Sequence, residues 1–489
     1  MFCILHITDL HRSKADPISN AELLSALLND RAHYTHEDPP IPPPQAIVVS
    51  GDLIQGVGLG HPDPDKELAA QYDVAYEFLT ELTDHFVNGD RSKVILIPGN
   101  HDVDWNRARA SMEPVDPKNA PGELPEALYE PDTLYRWDWK KRELFIIKDK
   151  NVYRERLGAF WRFFERFYEN TPSLLRVAPW ADANLYSLDE ARIGVVAFNS
   201  CAGNDCFSFK GEIPREAVAQ ADLDLRDFGP WRLRIAVWHH DIEGPPSRTD
   251  YMDPEIVRGM IGRSFRLGLY GHQHRTQTTP HHIYLPERET MAVASAGSLC
   301  AGARDLPVGA RRGYSIIEIG NDYDRARVHV REMAYANLFS RANLPIFGGL
   351  SYVDLEWTAP IDAGGRPEDP IRKKRTAILQ EAETALRQEG DPHEALRLLD
   401  TIDVATDPFG RRLKLSAVQA TGESDRILAL VGQPRTIEEL VIGVDTYLNT
   451  GRLDEACALL LAHGERLQLP GAVRADIEKR IELVRRVRR

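Results

Sequence analysis

The sequence contains no run of about 18 or more uncharged apolar residues, which excludes an ordinary transmembrane helix. Its first residues, Met1-Phe2-Cys3-Ile4-Leu5-His6-Ile7, lack a basic leader and meet an acidic residue at Asp9. They read as a first strand rather than a signal peptide. Cysteine is scarce: Cys3, Cys201, Cys206, Cys300 and Cys457 are scattered over 489 residues. An odd, sparse set excludes a disulfide framework and fits a reducing compartment, so a cytoplasmic protein without membrane attachment is expected. Cys201 and Cys206 have no second pair nearby and read as thiols beside a strand end rather than a zinc site. Positive charge is in deficit, with 60 Lys and Arg against 74 Asp and Glu, a net charge of −14. That balance argues against a chain that coats nucleic acid without specificity. A phosphate substrate stays compatible, because divalent cations in a carboxylate-lined cleft make it locally positive.

What is present is an ordinary globular composition, 43% hydrophobic and 27% charged, over a length that implies two or three domains. Short apolar runs alternate with amphipathic stretches through the first half, the pattern of an α/β layered domain. Strands are expected at residues 2–7, 46–49, 94–97, 193–198, 233–238, 267–270, 291–295, 314–319 and 327–330. Helices are expected at 19–28 and 68–86. A proline-rich spacer at Pro39 to Pro44 reads as an extended loop. Residues 103–190 are aromatic-rich and irregular and read as an insertion or cap. Within them Leu157, Phe160, Trp161, Phe164 and Tyr168 recur at helical spacing, a stripe that fits core better than a base-stacking platform. Pro360, Gly364, Gly365, Pro367 and Pro370 mark a boundary. The expected division is a catalytic domain at 1–345, a linker at 346–372 and a helical domain at 373–489. In that last region the segments around Gly390-Asp391 and Gly451-Arg452 resemble each other, each a Gly-centred turn between two helices. Both resemble a tetratricopeptide-type hairpin. The closing Arg485-Arg486-Val487-Arg488-Arg489 reads as a solvated helix end.

Five short motifs follow apolar runs in order: Asp9-Leu10-His11, Gly51-Asp52, Gly99-Asn100-His101-Asp102, His239-His240 and Gly271-His272-Gln273-His274. All therefore sit at the carboxyl ends of strands, where open α/β sheets gather their sites. Carboxylate, imidazole and amide donors suit Mn, Fe or Zn in hydrolysis. In a strand, side chains at i and i+2 share one face, so Asp9 with His11, and His272 with His274, are each expected to offer two ligands in one direction. Each motif alone arises often by chance; their joint occurrence carries the signal.

The set, over roughly residues 1–335, resembles the calcineurin-like metallophosphoesterase superfamily. It is similar to the class III cyclic nucleotide phosphodiesterases and to the nuclease subunits of double-strand-break repair complexes; Gly297-Ser298-Leu299-Cys300 resembles a further loop of the former. The resemblance implies a four-layer α/β/β/α sandwich, here followed by an all-α helical-hairpin domain. It implies two divalent metal ions, Mn first with Fe or Zn as alternatives. Asp9, His11 and His274 would hold one ion, Asn100, His239 and His272 the other, and Asp52 both. A hydroxide bridging the ions would attack phosphorus in line. His101 matches the non-ligand histidine beside the leaving group.

Asp102 has two readings, an orienting partner of His101 or a turn carboxylate capping the backbone. Asp241 stands where relatives often have proline, which leaves His239 and His240 in competition. Arg275 reads equally as a substrate contact or a surface ion pair, and His281 and His282 as solvent-exposed. The expected activity is hydrolysis of phosphodiesters in a nucleotide or nucleic acid. The alternatives are a phosphomonoesterase acting on nucleotides or phosphoproteins, a scaffold that has kept the fold, and an effector controlled by a protein partner or by self-association through the helical tail.

Overall fold

The computed structural model describes residues 1–16, 18–120, 122, 124–129, 133–172, 175–188, 191–242, 250–274, 281–284, 289–302, 306, 310–333, 337–343, 349–357, 370–387, 389–405, 408–467, 469 and 471–487. In chain order its strands begin with β1 (Phe2–Ile7), β2 (Ala46–Val49), β3 (Val94–Leu96), β4 (Met112–Val115), β5 (Tyr135–Asp138), β6 (Glu143–Ile147), β7 (Ala183–Leu188) and β8 (Ile193–Phe198). They continue with β9 (Leu233–Val237), β10 (Leu267–Tyr270), β11 (His281–Tyr284), β12 (Thr290–Ser295), β13 (Gly313–Ile319), β14 (Arg325–Met333), β15 (Phe339–Arg341) and β16 (Tyr352–Glu356).

Two sheets carry the first domain. One runs β15-β14-β13-β1-β2-β3, with β16 also paired to β14; the other runs β11-β12-β10-β9-β8-β7. The inner strands β8, β9, β10 and β12 are parallel, and β7 and β11 close the edges antiparallel. Parallel strands covered on both faces need apolar residues throughout, which is why they read as unbroken hydrophobic runs. The period of two then sorts their side chains. Val195, Ala197, Ile235, Val237, Leu267, Leu269, Ala292 and Ala294 join β1 and β2 in a core between the sheets. Val196, Phe198, Ala236, Trp238, Tyr270, Met291 and Val293 face helices Arg215–Phe228 and Pro254–Ile261 instead.

The first sheet is covered by helices Asn20–Arg31 and Pro64–Val87, the former started by a Ser19–Glu22 capping box and the latter by Asp63 with Pro64. The layers are thus α/β/β/α, as the motif resemblance implied. Helix Gly158–Tyr168 packs on Pro64–Val87, and its aromatic stripe is core: Phe160, Trp161, Phe163, Phe164 and Phe167 are all buried.

Two stretches differ from their sequence reading. The irregular part of 103–190 contains a three-stranded antiparallel sheet, β4-β6-β5, with its own small core of Met112, Phe145, Ile147 and Cys206. The stretch 346–372, expected as a linker, contains β16, whose five residues pair with β14 from Arg325↔Glu356 to His329↔Tyr352. Val353 and Leu355 alternate inward there, but the pattern is too short to stand out beside the glycine and proline that follow. The boundary cluster from Pro360 to Pro367 lies outside the described residues.

The helical region consists of Pro370–Arg387, Pro392–Leu399, Pro408–Thr421, Ser424–Val431, Ile437–Asn449, Leu453–His463 and Gly471–Val487, each packed on the next. The paired turns do sit between helices, and both Gly390 (φ +67°) and Gly451 (φ +78°) are left-handed. Among the described residues no helix is long and apolar enough to cross a membrane.

Candidate metal centre

The five motifs meet at one rim of the two sheets. β1 ends at Ile7 and β10 at Tyr270, so neither Asp9 with His11 nor His272 with His274 continues a strand. Asp9 (φ 50°), His11 (φ 45°), Asp52 (φ 52°), His272 (φ 78°) and His274 (φ 51°) are all left-handed, a conformation that costs a residue with a Cβ on the order of 1 kcal/mol or more. The expectation that each i, i+2 pair points one way holds for Asp9 with His11, whose Oδ1 and Nε2 lie 3.9 Å apart, and is corrected for His272 with His274. His274 Nε2 lies 3.0 Å from His11 Nε2, whereas His272 Nδ1 lies 2.9 Å from Asn100 Oδ1. Backbone bonds pay for the strain: Asp9 N–H donates to Gly51 O, and His11 N–H to Asp52 O. Ser298 Oγ donates to Asp9 O, which gives the Gly297–Cys300 loop its part in the site.

The motif glycines are required by close approach. A Cβ on Gly99 would stand 2.2 Å from Asp52 Oδ1, and one on Gly271 would stand 1.9 Å from Thr8 Oγ1.

Both carboxylates are fully enclosed and held the same way. Asp9 Oδ2 accepts from His272 N–H at 3.1 Å, and Asp52 Oδ1 from His101 N–H at 2.8 Å. The second oxygens, Asp9 Oδ1 and Asp52 Oδ2, are buried with no hydrogen-bond partner. They look toward imidazole nitrogens: Asp9 Oδ1 is 3.2 Å from His274 Nε2, and Asp52 Oδ2 is 3.8 Å from His11 Nε2 and 3.3 Å from His239 Nε2. Ligand atoms of Asp9, His11, Asp52 and His274 all lie within 4.8 Å of one another. Oxygen and nitrogen lone pairs do not converge in a dry interior without a cation between them, so this group fits a divalent metal.

A second group adjoins it through Asp52. Asn100 Oδ1 lies 3.0 Å from His239 Nε2 as well as 2.9 Å from His272 Nδ1. His239 donates from Nδ1 to Ser50 O at 2.8 Å, which leaves Nε2 as its lone-pair nitrogen. Its neighbour turns elsewhere: His240 Nδ1 meets Ser200 Oγ and Nε2 meets Asn204 Nδ2. The geometry thus brings His239 into the cradle and leaves His240 behind it.

Charge follows this arrangement. Burial resists ionisation of Asp9, but His274 holds its carboxyl down at about 2. Burial would also lower His239, yet Asp52 and Asp9 keep its imidazole up at about 9. Burial and the neighbouring His101 press His11 down to about 3. The cradle therefore demands positive charge and, without a metal, takes it from protons.

His101 stands edge-on to His11 with ring centroids 4.5 Å apart, its Nδ1 fixed on Gln55 O at 2.7 Å. Asp102 does not touch that ring. Its Oδ2 accepts from Gly99 N–H and Leu53 N–H and its Oδ1 from Tyr72 O–H, the bonds of a carboxylate that ties a turn. Burial and the nearby Asp52 raise it to about 7.

Three further groups had no signal in the sequence. Asp250 lies 3.7 Å from His272 Nε2, Gln55 serves through its backbone, and Tyr72 sat among helix core positions. Cys201 and Cys206 are both buried free thiols, and among the described residues neither joins a metal-holding group. Arg275 and the side chains of His281 and His282 lie outside the described residues.

The chain is similar to a solved structure of PhoD, with 9% identity, a TM-score of 0.38, and 79% of this chain and 78% of that one covered. It is also similar to 5'-nucleotidase from Candida albicans (11% identity, TM-score 0.34, 86% and 58% covered). A third likeness is to the calcineurin-like phosphoesterase YfkN from Bacillus subtilis (11% identity, TM-score 0.28, 81% and 98% covered). No curated protein matches by sequence. The family model for calcineurin-like phosphoesterases matches residues 3–276, more than half of the 489. This chain belongs to the calcineurin-like phosphoesterase family.

Proposed function

We propose that the chain hydrolyses phosphodiesters with two divalent metal ions, Mn first, held by Asp9, His11, Asp52 and His274 on one side and by Asp52, Asn100, His239 and His272 on the other. The observation that carries this reading is the pair of buried, unpartnered carboxylate oxygens, Asp9 Oδ1 and Asp52 Oδ2, facing three imidazoles. Bound metals supply Lewis acidity toward the phosphoryl group and a more acidic water.

The chain's own residues supply the rest. Backbone N–H groups of His272 and His101 fix one oxygen of each carboxylate, so the other oxygen keeps its direction. Gln55 O accepts a hydrogen bond from His101 Nδ1–H and thereby orients Nε2 for a phosphoryl or leaving-group oxygen. Asp102 ties the turn that carries both Asn100 and His101.

The preference for diesters rests on the motif resemblance to cyclic nucleotide phosphodiesterases and repair nucleases. The test is turnover of bis(p-nitrophenyl) phosphate and of p-nitrophenyl phosphate by the Mn-loaded chain. We expect the diester to be cleaved faster, and His101→Ala to lower its kcat by about 10²–10⁴-fold while metal content is kept. Release of nitrophenolate from the monoester alone would replace this reading with a phosphomonoesterase; release from neither would end it.

A further inference from the structure

The antiparallel hairpin of β5 and β6 ends in a tip that sets an exposed tryptophan beside three cations. Trp139 is 73% exposed and meets Trp137 edge-on, with ring centroids 6.2 Å apart. Among the described residues of 103–190 it is the large hydrophobic side chain left to solvent. Lys140, Lys141 and Arg142 follow directly, all exposed, and none forms an ion pair with a described residue. Residues 133–150 hold six Lys and Arg against three Asp and Glu, in a chain whose net charge is −14.

The tip is also preformed. Asp138 Oδ1 accepts from Lys140 N–H at 2.9 Å and Lys141 N–H at 3.0 Å, and Arg142 N–H closes the turn on Asp138 O at 2.7 Å. Asp138 itself is 7% exposed, so its charge is spent within the turn. An exposed Trp costs apolar hydration, and three adjacent unpaired cations repel one another. A ligand that offers flat rings and a regular series of anions relieves both.

We propose that this hairpin tip binds single-stranded nucleic acid, with Trp139 stacking on a base and Lys140, Lys141 and Arg142 meeting consecutive phosphates. A duplex hides its base faces, and a bilayer would gain the burial of one ring only, so the combination favours an unpaired strand. The inference goes beyond the reading of the cradle and holds for either ester class.

The test is fluorescence anisotropy of a labelled oligothymidylate with the full-length chain in chelator, so that binding is read without cleavage. Trp139→Ala is expected to weaken binding about tenfold. Replacing Lys140, Lys141 and Arg142 together by Gln is expected to flatten the slope of log affinity against log salt by about 2. Hydrolysis of the small chromogenic ester by the Mn-loaded variants should match the parent and shows that they fold. Failure of the parent to bind the oligomer, or equal binding by both variants, overturns the proposal. So does loss in these variants of binding to phosphatidylserine vesicles rather than to the oligomer.

Discussion

The two halves of the cradle share Asp52 but are built on different economies. The Asp9 half has two carboxylates, and its His11 has no hydrogen-bond partner at Nδ1. The Asn100 half has the shared carboxylate and a neutral amide, but its His239 is fixed on Ser50 O at 2.8 Å and its His272 faces the Asp250 carboxylate at 3.7 Å. One half attracts a cation by charge and the other by preset direction. Charge is the larger quantity, since two unit charges 4 Å apart interact by about 4 kcal/mol at an effective dielectric of 20. On the proposed two-metal reading, the Asp9 half should be the tighter of two unequal sites.

Moving charge between the halves should shift the two affinities. Asp9→Asn should weaken the tighter ion by at least about a hundredfold in a Mn titration, leaving the second site close to its original affinity. Asn100→Asp should strengthen the weaker ion by roughly tenfold or more and bring the two affinities together, read by the same titration. Asp102→Ala leaves Gly99 N–H, Leu53 N–H and Tyr72 O–H without their acceptor. It should cost about 2 kcal/mol in denaturant unfolding of the metal-free chain. The smallest effect is expected from Asp250→Asn, which removes the negative charge facing His272 and should weaken the second ion by about tenfold without moving the first.

Which residues form the cradle was legible because each motif follows an unbroken apolar run, and a buried parallel strand can hardly look otherwise. How they converge was not legible from spacing. Asp and His at left-handed φ carry no mark that separates them from the same residues in a strand, so local pattern put His272 and His274 on one side, and only the family resemblance implied the grouping of His274 with His11 and of His272 with Asn100. Asp102 shows the same limit, because an acid beside a histidine reads alike whether it orients the ring or ties the turn. Strand β16 was hidden by its length, β4 by its four residues with Pro114 among them, and β5 and β6 by the short aromatic runs that turns interrupt. Asp250 stands ten residues after His240 and twenty-two before His272, belongs to no motif, and is brought to His272 by the fold.

The central claim is that Asp52 serves two ions at once, and counting bound Mn at equilibrium tests it most directly. The native chain should bind two ions of unequal affinity, and Asp52→Asn should weaken both and lower diester turnover by about a thousandfold. A native chain that binds no more than one ion, or an Asp52→Asn chain that keeps both with full affinity, would contradict the account.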